Sequence, residues 1–498
     1  MKANLPNKLS LENQQIDPRW ALKLNPAIAM RRLALPICKL ADKLVVAMYD
    51  CSDKQTIAAI EAQLGLSVYP IAAEQADLRQ ALLRVYGDVR GGAMDTANAI
   101  ESSEDSVAIV DSFIRAAVLR KASDIHIEPA RAGLRIRFRV DGVLEDFATL
   151  PQGIQAAVCS RIKVLSGLDI AEKRAAQDGS FTWTPPVSSN SQRNQLRPFD
   201  VRVATLPVRY GERITMRLLE TGSSRMSLDD LGLFEEQLKQ LKRILARPHG
   251  LVLLTGPTGS GKSTTLYAAI QELLQGSPLN ILTVEDPIEY ETEGISQVEV
   301  DSSDKVNFAK ALRSLLRHDP DVVMIGEIRD TESLDAAVKA ALTGHLVLST
   351  LHTNDAASAV TRLRDMGLEP HLIAATLRLS VAQRLVRKLC PECAESYEMS
   401  REEANGLGRP ELAGTIAYKP CGCLACSGRG YIGRIGLFEF MIPNERLAEK
   451  IASDATLGEL LEELEKQNQK LLIDDAIEKI RLGVTTVAEA MKAINNRG

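Results

Sequence analysis

Three features of the sequence predict a multidomain α/β protein. The chain has 498 residues, more than a single hydrophobic core organises. From about residue 226 onward, strand-length apolar runs alternate with loops and helical patterns, as in a parallel sheet with crossover helices. Ahead of that stretch, Asp124–Glu128, Leu134–Val140, Asp200–Ala204 and Arg213–Leu219 alternate apolar and polar residues, as half-buried strands do.

The elements follow in order. Residues 1–85 form a small α/β module, with a strand at Lys43–Met48, helical spacing from Lys54 to Leu64 and a second strand at Leu66–Tyr69. No catalytic constellation occurs there, so an interaction module is expected. Residues 86–106 are polar and glycine-bearing, as a linker is. Residues 107–222 form an α+β domain: a helix from Val107 to Lys121, then the alternating strands, with Asp141-Gly142 as a hairpin turn and a Pro/Ser/Asn/Gln-rich loop from Pro185 to Pro198. The parallel-sheet domain covers 223–388, a cysteine-rich subdomain 389–438, and a charged helical region 439–498.

Composition excludes several classes. Hydrophobic residues make up 45% and charged residues 25%, as in ordinary globular proteins. The net charge of -5 argues against a chain built around nucleic acid. The opening MKANLPNKLSLENQQ lacks the apolar core of a signal peptide, and no apolar run reaches the ~20 residues that cross a bilayer. A cytoplasmic protein is expected, touching a membrane only through a partner.

The strongest chemical signal is Gly256-Pro257-Thr258-Gly259-Ser260-Gly261-Lys262-Ser263-Thr264. It follows an apolar strand, Leu251–Leu254, and opens a helix running to Leu274. Glycines let the backbone curl so that its N–H groups face phosphate oxygens, and the helix N-terminus adds positive potential there. Lys262 is placed to reach the β- and γ-phosphates, and Ser263 to ligate Mg²⁺. Two apolar strands then end in acids, Ile281–Val284 before Glu285 and Asp321–Gly326 before Glu327. Carboxylates at the carboxyl ends of parallel strands can orient a metal or the attacking water, and one of Glu285 and Glu327 is expected to position that water. Gly326 stands where an Asp commonly ends such a strand, so a metal held through water is expected. His352, after the buried strand Leu346–Leu351, is a candidate γ-phosphate sensor; His345 lies at the other end of that strand. Arg313 and Arg317 are four apart and are expected on one helix face. Arg202 and Arg217 fall on strands of the preceding domain. Each arginine is open to two uses, a surface ion pair or a contact to transferring phosphate.

Five cysteines cluster: Cys390, Cys393, Cys421, Cys423 and Cys426. The pairs Cys390-x-x-Cys393 and Cys423-x-x-Cys426 suit a structural Zn²⁺ held by four thiolates, with Cys421 as a possible replacement. Cys38, Cys51 and Cys159 stand singly among apolar residues, as core thiols do.

The motifs occur in a recognisable order: SDIHIEP from Ser123, RFRVDG from Arg137, AEKRAAQDG from Ala171, GPTGSGKSTTLYA from Gly256, LTVEDPIEY from Leu282, DPDVVMIGEIRD from Asp319, TGHLVLSTLHTNDA from Thr343, then the paired CxxC. Over about residues 107–498 the chain resembles the ATPases that drive type II secretion, close relatives of the type IV pilus assembly ATPases. The resemblance implies a RecA-like ATPase core, a sensor-like domain before it, and a homo-hexamer docked on an inner-membrane platform to build a pseudopilus. It implies that residues 1–85 bind the cytoplasmic part of a bitopic platform protein beside a polytopic one. It also implies that Arg202, Arg217, Arg313 and Arg317 bind nucleotide phosphates. Ser180 departs from the arginine common after QDG in the family, which puts an interdomain contact there in doubt. The paired CxxC and the N-terminal module set the chain apart from pilus retraction ATPases. The alternatives are a pilus assembly ATPase, a nucleic-acid motor, which the acidic balance disfavours, and a nucleotide switch without sustained turnover.

Overall fold

The computed structural model describes residues 6, 8–12, 14–86, 106–185, 198–220, 226–276, 278–300 and 308–495. The linker expected over 86–106 and the polar loop expected over 185–198 lie outside these residues except at their ends. The chain forms two compact units: residues 1–223 with 390–395 and 420–432, and residues 224–389 with 396–419 and 433–498.

The first unit holds two sheets. In the N-terminal module the strand order is Lys8–Leu9, Ser67–Ala73, Lys43–Met48, Ala34–Leu40, parallel except at the last pair. The expected helix spans Lys54–Leu64. Its N-terminal amides are satisfied by the Asp53 carboxylate, which accepts from Gln55 and Thr56 N–H, and Gly65 ends it at φ +69°. The strand Ala34–Leu40, which the sequence reading did not predict, carries Pro36 at a register shift, where a ladder donor is not needed. The second sheet has six antiparallel strands in the order Val143–Leu150, Gly133–Val140, Ala122–Ala130, Gly211–Glu220, Phe199–Val208, Gln177–Trp183. Asp141 and Gly142 turn at φ +49° and +84°, the paired positive values of a two-residue hairpin. Helices Ser106–Leu119 and Gln155–Leu165 bury Ile109, Phe113, Val158 and Ile162 against this sheet.

The second unit is built on a seven-stranded sheet ordered Ser296–Glu299, Ile281–Glu285, Val322–Ile325, Leu346–Leu351, Gly250–Thr255, Leu377–Leu389, Tyr431–Met441. The pairings among the first six of these strands are parallel. Leu251, Leu253, Val323, Ile325 and Val347 pack into one core, and Val252, Leu254, Val322, Met324, Leu346 and Leu348 into another. Both faces are therefore covered, which is why these strands read as unbroken apolar runs rather than alternating ones. Beyond the sheet come helices Glu445–Ala452, Leu457–Lys466, Leu472–Arg481 and Val487–Asn495. The Lys479 ammonium and Asp475 carboxylate form a buried pair 2.6 Å apart, and Lys479 also donates to Gly436 O at 2.7 Å.

Candidate functional site

The strand Gly250–Thr255 lies between Leu346–Leu351 and Leu377–Leu389, and helix Lys262–Gly276 begins just past its carboxyl end. The connecting loop needs its glycines. Gly256 has φ +144°, and a Cβ there would stand 2.5 Å from Gln383 O. Gln383, on the neighbouring strand, ties itself to the first turn of the following helix by accepting from Thr265 Oγ1 at 2.9 Å.

The loop is shaped for an anion. Lys262 Nζ folds back onto the loop's own carbonyls, Gly256 O at 2.6 Å and Pro257 O at 3.2 Å. Burial lowers its pKa from 10.5 to about 8; Glu327 acts the other way, and Arg384 adds to the lowering. A bound phosphate would satisfy this ammonium better than two carbonyls do. The buried Ser260 Oγ has no partner, and an unfilled hydroxyl inside such a loop fits a phosphate oxygen. Ser263, half-buried in the first turn of the helix, together with Glu327, supplies oxygen donors of the kind Mg²⁺ takes.

The two acids differ. Glu285 is buried, 4% exposed, and its carboxylate accepts from Tyr267 OH, from Thr283 Oγ1 at 2.6 Å and from Gln297 Nε2 at 3.0 Å. Glu327 is partly open: Oε2 accepts from Arg329 Nε at 2.9 Å and Oε1 lies 3.1 Å from His352 Nε2. Arg329 also donates to Asp286 Oδ2 at 3.0 Å. Thus Asp286, Glu327, Arg329 and His352 form one polar cluster. Its members come from the segments that follow three neighbouring parallel strands, where ligands of open α/β sheets bind. Gly326 N–H donates to Val284 O at 2.8 Å, and a Cβ there would make only ordinary contact with that oxygen, at 3.4 Å. His345 Nδ1 lies 3.0 Å from Ala340 O, a structural contact.

The predicted arginines fall two in each unit. Arg313 lies on helix Phe308–Leu315 and reaches Glu332 at 3.5 Å. Arg317 lies beyond the end of that helix, in a turn closed by its N–H on Ser314 O, so the expectation that Arg313 and Arg317 share a helix face is corrected: the helix stops first. Arg202 and Arg217 belong to the first unit, directly opposite each other on paired strands. Arg217 Nε is 3.1 Å from Asp124 and Arg202 Nε 3.8 Å from Asp200. Ser180 faces Arg202 from the next strand.

Sequence reasoning missed Arg384. It is 6% exposed, donates to Gln383 O at 3.0 Å and Asn354 O at 2.8 Å, and a Cβ on Gly256 would lie 3.1 Å from its Nη1. The available signal was the polar pair Gln383-Arg384 inside an otherwise apolar strand.

In the first unit, the Sγ atoms of Cys390, Cys393, Cys423 and Cys426 all lie within 4.8 Å of one another. The distances Cys390–Cys423, Cys423–Cys426 and Cys393–Cys426 are 3.7, 3.8 and 3.9 Å. Four sulfurs each ~2.3 Å from a tetrahedral zinc would be about 3.8 Å apart, so the donor set fits that ion. The N–H groups of Cys423 and Gly430 both point to Cys426 Sγ at 3.1 Å, as donors that stabilise a thiolate do. Gly422, φ +88°, allows the turn: a Cβ would lie 2.5 Å from Gly428 O. Cys421 is not one of the four clustered thiols. Of the isolated thiols, burial pushes Cys38 up to about 12 and Cys159 to about 11, while Cys51 is only half-buried.

Comparison with known proteins agrees with this arrangement. Residues 100–492 match the family described as Type II/IV secretion system protein, and residues 3–92 match the MshEN domain. The chain is 46% identical to the Type II secretion system ATPase E of Vibrio cholerae, over 79% of this chain and 76% of that protein. It is 37% identical to the Type IV pilus assembly ATPase PilB of Myxococcus xanthus, over 97% of this chain and 88% of that one. The crystal structure of the pilus retraction motor PilT with bound ADP superposes with a TM-score of 0.51 at 26% identity, covering 77% of this chain and 96% of that one. The second unit is accordingly a RecA-like core. With the phosphate loop, the acidic strand ends and the four-thiol cluster in place, the chain belongs to the type II/IV secretion system protein family, as one of its ATP-hydrolysing members.

Proposed function

We propose that this chain is the ATPase motor of a type II secretion system, working as a hexamer to drive pseudopilus assembly, with residues 1–85 recruiting it to the membrane platform. Identity of 46% to the Vibrio cholerae ATPase E carries this reading. Among the described residues no helix is long and apolar enough to cross a membrane, so attachment through a partner fits the chain.

In the proposed mechanism Gly256–Thr264 binds the nucleotide phosphates, and Lys262 leaves its carbonyl partners to neutralise the β- and γ-phosphates. Ser263 and Glu327 would hold Mg²⁺, which when bound offsets charge developing on the transferring phosphoryl group. Glu327, partly open and with Oε1 3.1 Å from His352 Nε2, positions the attacking water. Glu285, held by Tyr267, Thr283 and Gln297, keeps the strand end and the phosphate-loop helix in register. The test is steady-state ATP turnover and secretion in cells whose own secretion ATPase gene is deleted. Lys262→Ala is expected to abolish both; unimpaired secretion by that variant would sink the reading.

A second reading has its own support. The Myxococcus xanthus pilus assembly ATPase aligns with 97% of this chain, N-terminal module included. Recovery of surface pili, rather than secretion, in complemented cells would favour it.

A further inference from the structure

The first unit contains a cavity of about 520 Å³ whose wall comes from three separate parts of the chain: residues 17–23 with 39 and 41, residues 108–150, and residues 427–429 of the cysteine knuckle. Its floor is apolar and buried, formed by Ile109, Phe113, Ile136 and Leu150. Trp20, Leu22 and Phe147 continue that surface toward the mouth, half-exposed. This is the size and character of a small-molecule site.

The charges lie on one side of the balance. Arg19, Lys23, Lys39 and Arg429 line the cavity against a single carboxylate, Asp17. Asp17 is already engaged by Arg19 at 2.7 Å and lies 3.7 Å from Arg120. Arg429 lies 3.4 Å from Asp141. Among the described residues Lys23 and Lys39 have no carboxylate partner, and both are exposed; Lys23 Nζ stands 5.0 Å from the Trp20 ring centre. The wall therefore presents two uncompensated ammonium groups above an apolar floor.

The interior has little to offer a polar ligand body. Its two side-chain hydroxyls are spent inside the protein: Ser112 Oγ donates to Ile109 O at 2.7 Å and Ser427 Oγ to Gln15 O at 2.8 Å. A base or sugar placed there would leave its own donors and acceptors unpaired, at a cost that apolar contact does not return. A hydrocarbon chain has no such groups to satisfy. We infer that this cavity binds a single-chain anionic amphiphile, the chain on the floor of Ile109, Phe113, Ile136 and Leu150 and the carboxylate or phosphate head on Lys23 and Lys39.

The test uses the full-length protein with dodecanoate below its micellar concentration, followed by calorimetry and by the thermal midpoint. One-to-one binding with a raised midpoint is expected. Two comparisons divide the recognition: dodecan-1-ol keeps the chain without the charge, acetate keeps the charge without the chain. Both should bind at least tenfold more weakly. The doubly substituted Lys23→Glu/Lys39→Glu protein, altered only at exposed positions, should lose at least tenfold in dodecanoate affinity, and Ala148→Trp, which fills the cavity, should lose binding altogether. Equal affinity for dodecanol, or an unchanged affinity in the lysine variant, would overturn the anionic half. Undiminished binding by folded Ala148→Trp, or no binding by the unaltered protein, would overturn the site.

Discussion

Glu327 is shared between two partners: its Oε1 stands 3.1 Å from His352 Nε2 while its Oε2 accepts from Arg329 Nε at 2.9 Å. A carboxylate so oriented, yet still partly open, can hold a water for attack. Glu327→Gln keeps the shape and removes the charge, and is expected to lower kcat by ~10²–10⁴-fold with ATP binding retained. Turnover and nucleotide affinity measured on the same preparation check this. Equal loss of both would mean that Glu327 serves binding instead.

Glu285 should behave differently. Tyr267→Phe leaves its buried carboxylate one donor short and should cost about 1–3 kcal/mol in stability, read from urea midpoints. Glu285→Gln should retain more turnover than Glu327→Gln; the reverse order would hand the water to Glu285.

ATP binding should depend on pH through Lys262. In the nucleotide-free protein its pKa is lowered from 10.5 to about 8, while bound phosphate favours the charged form. Above about pH 8 binding must then take up a proton, and affinity should fall toward tenfold per pH unit; below it the profile is flat. Calorimetry in two buffers of different ionisation heat measures the proton. Stability follows the same sign. Between about 8 and 10.5 the unfolded chain holds the extra proton, so the nucleotide-free protein should gain stability over Lys262→Met as pH rises through that window.

Arg384 helps to lower the Lys262 pKa. Arg384→Met should therefore shift the break in that binding profile to higher pH. A profile unchanged in a folded variant would show that burial alone sets it.

The cysteine knuckle is expected to hold the N-terminal module in place. Leu424 is buried in that module's core, Gln14 Nε2 donates to Leu424 O at 2.8 Å, and Arg429 Nη2 donates to Gln15 Oε1 at 2.5 Å. Cys423→Ser should lose bound zinc and speed amide exchange over residues 34–73. Leu424→Asp should speed the same amides with zinc retained, as elemental analysis would show.

Much of this site was legible because it is contiguous. Gly256–Thr264 is a local pattern whose flanking strand and helix are local too, and Glu285, Glu327 and His352 each close an apolar run. Parallel pairing of those runs does the rest, bringing Glu327 to His352 across 25 positions of sequence. The locks on Glu285 were not legible, because Tyr267 and Gln297 come from a helix and an edge strand with no shared periodicity. Arg384 was hidden for the same reason. The expected helix face of Arg313 and Arg317 failed because spacing predicts a face only while the helix continues, and Leu315 is its last residue. The two thiol pairs do come together in space, but spacing carries no trace of the surface on which they would settle.

The polypeptide changes unit five times, after residues 223, 389, 395, 419 and 432. Neither unit is thus a contiguous string that a gene could donate or receive whole. A fragment ending at residue 223 would be translated without Leu424, Ser427 and Arg429, leaving an unfilled socket in the N-terminal module. A recombined chain that exchanged residues 8–86 alone would set another chain's residues in place of Gln14 and Gln15 against this knuckle. The two stretches, more than 300 residues apart in sequence, are bound to be inherited together.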